Sequence, residues 1–109
     1  MYEKAINYAD KSNYRQVEAI ALTGLGELER KHRNFTLALS HHEASIEILD
    51  YICAKCDLAE AYYQQGLTYQ EMGETEKSEE NFDKAIKRFE EIEAPKQVEK
   101  VRKAIEKVG

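Results

Sequence analysis

Apolar residues along this chain recur in steps of three and four, and no stretch alternates apolar and polar positions in steps of two. That spacing is helical and predicts no sheet. One stripe reads Val17, Ile20, Ala21, Gly24, Leu25, Leu28, and a second reads Phe35, Ala38, Leu39, His42, Ser45, Ile46, Leu49, Ile52. Two more follow, Leu58, Ala61, Tyr62, Gly66, Tyr69 and then Phe82, Ala85, Ile86, Phe89, Ile92. Asn13 with Gln16 and Asp57 with Glu60 have the spacing of capping boxes, in which side chains satisfy the free amides of a helix start. Asn34 precedes Phe35 as an N-cap candidate, with Thr75 or Glu74 in that part later. Gly73 suits a left-handed helix end. Pro95 suits a first helical turn, where its missing N–H is no loss. The reading is six helices, over 1–12, 14–31, 35–52, 57–72, 75–93 and 95–108.

The stripes repeat. Sliding the sequence over itself by 40 residues places Gly26 on Gly66, Ala19 on Ala59 and Ala21 on Ala61. Ile6, Ile46 and Ile86 coincide, as do Glu3, Glu43 and Asp83, while Ala5, Ser45 and Ala85 keep one small side chain in register. A fixed period of this size is the mark of a repeat architecture. Short turns between the helices make neighbours antiparallel, and stacked helix pairs form a solenoid.

Leu25-Gly26 followed by Asn34-Phe35 and Ala38-Leu39, and then Gly66 with Tyr69, Gly73, Phe82 and Ala85, resemble the tetratricopeptide (TPR) signature. The resemblance covers almost the whole chain. It implies an all-α, TPR-like α-solenoid of antiparallel helix pairs, with a truncated repeat at 1–12, repeats at 13–53 and 54–94, and a C-terminal capping helix at 95–109. Gly26, Gly66, Ala38, Ser78, Ser45 and Ala85 stand where that family places small residues. There helices approach to about 8 Å, and a long side chain would hold them apart. The family unit is about 34 residues. The 40-residue period here is similar to a long-repeat subgroup in bacterial multidomain signalling proteins. Glu29 stands where Tyr69 does, and His42 where Phe82 does. Residues 2–12 align with the second half of 35–52, so the expectation is the C-terminal piece of a longer array.

By the same resemblance the first helix of each pair lines a concave groove. Its wall would be Thr23, Glu27, Arg30 and Lys31 in one copy and Tyr63, Gln64, Leu67, Gln70 and Glu71 in the next. Tyrosine among amides and mixed charges suits a protein or peptide partner. Glu27 and Leu67 replace the asparagine of the family's chaperone-tail clamp, which argues against that ligand. A second function class is self-assembly: a stack cut within a repeat exposes an apolar end, here the stripe Tyr2, Ile6, Ala9. The expectation is a weak homodimer through that stripe.

Composition narrows the field. The chain has 109 residues, 42% hydrophobic and 34% charged, with one proline and five glycines. That is enough for one modest helical core. The net charge of −5 argues against nucleic acid, whose binders concentrate basic charge. No apolar run approaches the ~18 residues of a membrane span. Met1 to Ile6 carries a charged pair where a signal peptide is apolar. With only two cysteines, the expectation is a reducing, cytoplasmic setting.

Candidate chemistry is thin. Cys53 and Cys56 have the spacing of a redox pair or half a zinc site. No strand leads into them to lower a thiol pKa, and zinc needs two more ligands. Cys53 continues the face of Ile46 and Leu49, which predicts ordinary packing and turn residues. His42 falls on the inner face with His41 beside it, predicting a buried, hydrogen-bonded imidazole, and His32 sits at a helix end. Glu71, Glu74, Glu76, Glu79, Glu80 and Asp83 form a solvated face rather than a calcium loop. The reading is a non-enzymatic interaction module without metal or cofactor.

Overall fold

A computed structural model describes the backbone of residues 2–107 and the side chains of residues 13–107. Among the described residues there are five α-helices and no strand: α1 (Tyr2–Lys31), α2 (Phe35–Tyr51), α3 (Lys55–Met72), α4 (Thr75–Glu91) and α5 (Pro95–Glu106). The expected helices 1–12 and 14–31 are one 30-residue helix. Asn13 therefore starts nothing, and with neither Gly nor Pro between residues 7 and 23 the backbone has no reason to break there. The side chains of the Tyr2, Ile6, Ala9 stripe lie outside the described residues.

The helix ends obey the 40-residue period. Arg33 and Gly73 both adopt positive φ, and so do Cys53 and Glu93. Each sits just past a helix, where the left-handed conformation lets the chain reverse and recovers orphan carbonyls. At Gly73 its own amide bonds the Gln70 carbonyl and the next one bonds Tyr69. Arg33 repeats this with Arg30 and Glu29, and Cys53 with Asp50 and Leu49. Cys53 is accordingly a turn residue, as expected, but an exposed one rather than one packed on the face of Ile46 and Leu49. The starts are less dependent on side chains than the sequence implied. Asn34, Ala54, Glu74 and Ala94 are the N-caps, and none makes a side-chain capping bond. Asp57 lies inside the first turn of α3, where its charge meets the positive end of the helix dipole.

Helix pairs cross where side chains vanish. A Cβ built on Gly66 would stand 2.6 Å from Phe82, and one on Gly26 would stand 2.5 Å from His42. Around these crossings Ala38, Ser45, Ser78 and Ala85 are buried. Ser78 donates to the Gly66 carbonyl at 3.0 Å, and Ser45 to the Ala19 carbonyl at 2.9 Å. Gly26 meets the start of α2 and Ala19 its later turns, so α1 and α2 run antiparallel; Gly66 with Ser78 and Ala59 with Ala85 set α3 and α4 the same way. Ile48 and Leu49 of α2 join Ala19, Leu58 and Ala61 in one core, which links α1, α2 and α3. Phe82, Ala85 and Phe89 of α4 join Ala59, Val101 and Ala104 in the other, linking α3, α4 and α5.

Overpacking either crossing forces its pair apart. Gly66→Leu and Gly26→Leu should each cost about 1–3 kcal/mol or more, read as a lowered urea midpoint; unchanged midpoints would mean the crossings are looser than described. Cys53→Gly should raise stability by about 0.5–1 kcal/mol, because glycine occupies φ of 59° without steric cost. A fall on the same denaturation assay would show that the thiol contributes more than its exposure implies.

Candidate functional site

Side chains along α1, α3 and α5 are joined by one polar chain. Arg30, buried near the end of α1, donates to the Gln64 side-chain oxygen at 2.7 Å and pairs with Glu71 at 3.2 Å. Gln64 in turn donates to Glu60 at 2.8 Å, and Glu60 accepts from Lys100 of α5 at 2.9 Å. Two flanking bonds tie the same helices: Gln16 donates to Asp57 at 2.6 Å, and Gln70 donates to the Ala104 carbonyl at 2.8 Å. The last is the repeat image of Arg30 reaching the Gln64 carbonyl at 3.4 Å, each displaced by 40 residues. Residue numbers rise together across these contacts, so α1, α3 and α5 run parallel. A buried guanidinium is tolerable only with such partners.

The expected groove residues thus divide into four sets. Arg30, Gln64 and Glu71 belong to the network that positions the wall. Thr23 turns towards α2, with its hydroxyl 2.6 Å from Ser45 Oγ and 3.1 Å from the Ala19 carbonyl. Glu27 and Lys31 stand one turn apart on α1, 3.8 Å from each other. Tyr63, Leu67 and Gln70 come together on one side of a groove between α3 and α5.

The opposite side of that groove is lysine. Lys96, Lys100, Lys103 and Lys107 follow one face of α5 across from Tyr63 and Leu67, with Glu99 among them. Lys100 is held by Glu60 and lies 4.6 Å above the Tyr63 ring, where the π face favours its charge. Lys103 has only an exposed partner, Glu99, at 3.8 Å, and such a pair is easily exchanged. The groove encloses about 570 Å³. It is an apolar, aromatic floor with a cationic wall, in a chain whose net charge is −5. The groove wall expected from the sequence included none of these lysines. Their i, i+3/4, i+7 and i+11 spacing was the available signal that they share a face.

A second depression lies between α2 and α4. Its floor is Tyr62, Gln65 and Tyr69, with Lys84 5.5 Å over the Tyr62 ring and Lys77 5.6 Å over that of Tyr69. The Gln65 side-chain oxygen is buried without a hydrogen-bond partner. Among the described residues no group of three or more His, Cys, Asp or Glu side chains stands close enough to hold a metal. No described helix is long and apolar enough to cross a membrane.

His42 is fully buried, and its Nε2 lies 2.8 Å from Thr68 Oγ1. The Thr68 hydroxyl already donates to the Gln64 carbonyl at 3.1 Å, so Nε2–H is the donor to it. Nδ1 is left as a buried lone pair with no partner. Burial, then the nearby charges of Arg30 and His41, lower the His42 pKa to about 4.

Residues 59–91, most of α3 and all of α4, match the tetratricopeptide repeat family. The matched segment contains Gly66, Tyr69, Gly73, Ser78, Phe82 and Ala85. No curated protein and no solved structure matches the chain.

The unfolded chain binds a proton at His42 below pH 6.5, whereas the folded chain does so only near pH 4. Stability from this group is complete above 6.5 and is lost as pH falls towards 4. The loss by pH 4.5 should be about 2–3 kcal/mol. His42→Phe, which installs the residue of the second repeat, should remove that increment. Urea denaturation of both proteins at pH 7.5 and 4.5 measures it, and an equal acid loss in the two would exonerate His42.

Proposed function

We propose that this chain is a protein–protein interaction module, and that it binds an acidic peptide segment along the α3–α5 groove. Repeats of the family matched by residues 59–91 mediate protein–protein interaction and are typically non-enzymatic. The observation that carries the finer reading is the groove itself. Tyr63 and Leu67 offer apolar contact, Gln70 a polar edge, and Lys96, Lys103 and Lys107 a positive wall.

The physical division of labour is as follows. An aliphatic or aromatic side chain of the partner desolvates against Tyr63 and Leu67, which supplies most of the affinity. Carboxylates on the same segment meet the lysines, which speeds encounter and selects against basic partners. The Arg30–Gln64–Glu60–Lys100 chain keeps α1, α3 and α5 in register, so the groove exists before the ligand arrives and little ordering cost falls on binding. In this reading the helix pairs are a segment of an α-solenoid capped by α5, belonging to a larger cytoplasmic regulatory or signalling protein.

A fluorescently labelled peptide with alternating Glu and Leu should bind this chain with an affinity that falls with added salt. Lys96→Glu with Lys103→Glu should weaken it about tenfold, as two reversed rim charges at roughly 0.7 kcal/mol each would. Leu67→Asp should weaken it at least as much. Equal anisotropy titrations with a Lys–Leu peptide of the same length would rule the reading out.

A further inference from the structure

Helix α1 carries an apolar stripe that no described residue covers. Tyr14, Val17, Ala21, Gly24, Leu25 and Leu28 share one face at helical spacing. Tyr14 is 69% exposed, Val17 65%, Leu25 43% and Leu28 47%. A Cβ added to Gly24 would meet nothing within 4 Å. Single exposed apolar residues are ordinary, but a contiguous set marks an interaction surface.

The internal repeat says what such a face receives. Forty residues on, Ala21, Leu25 and Leu28 become Ala61, Gln65 and Thr68 of α3, and all three are buried. Helix α2 lies along them, with Ile48 and Leu49 in one core with Ala61 and His42 bonded to Thr68. Forty residues further, Val101 of α5 is buried in the core that α4 supplies. In both cases the covering helix precedes the covered one across a short turn and runs antiparallel to it. Helix α1 presents the same seat, more apolar than its counterpart because Leu25 and Leu28 replace Gln65 and Thr68.

An occupant must bring an exposed apolar helical stripe of its own. Among the described residues α1 alone has one; Leu37, Tyr51 and Met72 are exposed singly. The stripe is also symmetric about Ala21. Laid antiparallel on itself, it sets Tyr14 against Leu28 and Val17 against Leu25, with the small Ala21 and Gly24 at the centre to let the backbones approach. We propose that α1 of a second copy fills this seat, forming a two-fold dimer that continues the α2-on-α3 interface. The surface lies away from the lysine groove, so the dimer does not depend on that reading. The stripe spans about four turns, and the contact falls below the roughly 1,200 Å² typical of tight complexes. The dissociation constant is therefore expected in the upper micromolar range.

Sedimentation equilibrium of the whole chain from about 10 μM to about 1 mM spans that range. The expected result is a monomer at the low end and a dimer at the high end. Val17→Glu with Leu25→Glu should raise the dissociation constant at least tenfold with an unchanged helical spectrum, whereas Tyr51→Glu should leave it unchanged. As a second reading, Ala21→Cys in a chain carrying Cys53→Ser and Cys56→Ser should form a disulfide-linked dimer on mild oxidation, and Met72→Cys in the same chain should not. A monomer at the top concentration would overturn the proposal. So would a dimer indifferent to the two glutamates, or equal cross-linking from positions 21 and 72.

Discussion

Gly26 and Gly66 lie at the closest approaches of their helix pairs, with His42 and Phe82 occupying the space a side chain would need. That close packing dictates much of what surrounds it. The neighbouring positions on α2 and α4 must be small, and the serines among them return hydrogen bonds to carbonyls of the facing helix. With the pairs this tight, the flanking Ile48, Leu49, Phe82 and Phe89 can reach the next helix and build a core shared between pairs. Loosen a crossing and both the pair and its junction with the next pair lose their geometry.

The difference between His42 and Phe82 shows how one substitution alters such a crossing. Phe82 fills its place by dispersion and area alone. The imidazole has to find a partner, and Thr68 of the following pair provides it. The result is a polar link between repeats where the second copy has an apolar contact. Its cost is an orphan Nδ1 and a pKa of about 4, so the first crossing is acid-sensitive and the second is not. The same logic runs through the Arg30–Gln64–Glu60–Lys100 chain. Apolar cores hold each pair together and to its neighbour, while hydrogen bonds align the first helices of successive pairs and leave Tyr63 and Leu67 open beside the lysines of α5.

Helix existence, the 40-residue period, the small residues at the crossings and the left-handed end at Gly73 were all legible along the chain. Each follows from short-range rules: step length, side-chain volume, and the backbone freedom of one residue. The same rules misled where a local signal had a competing use. Asn13 and Gln16 read as a cap, yet Gln16 spends its amide on Asp57, a residue 41 positions away, and the helix runs through. Asn34 does cap α2 by position, but its side chain donates to Glu29.

The sequence by itself therefore determined which residues are helical, which faces are apolar and where two helices approach, because these depend on neighbours within a few turns. Only the tertiary structure decided what each apolar face meets. Ala21, Leu25 and Leu28 have the spacing of a core stripe and are exposed, while Ala61, Gln65 and Thr68, forty residues later, are buried under α2. It also decided that Thr23 and Gln64 turn inward and that Tyr63 and Leu67 face a lysine wall. Periodicity places a residue on a face of its own helix; burial and charge environment come from whichever other helix is set against that face.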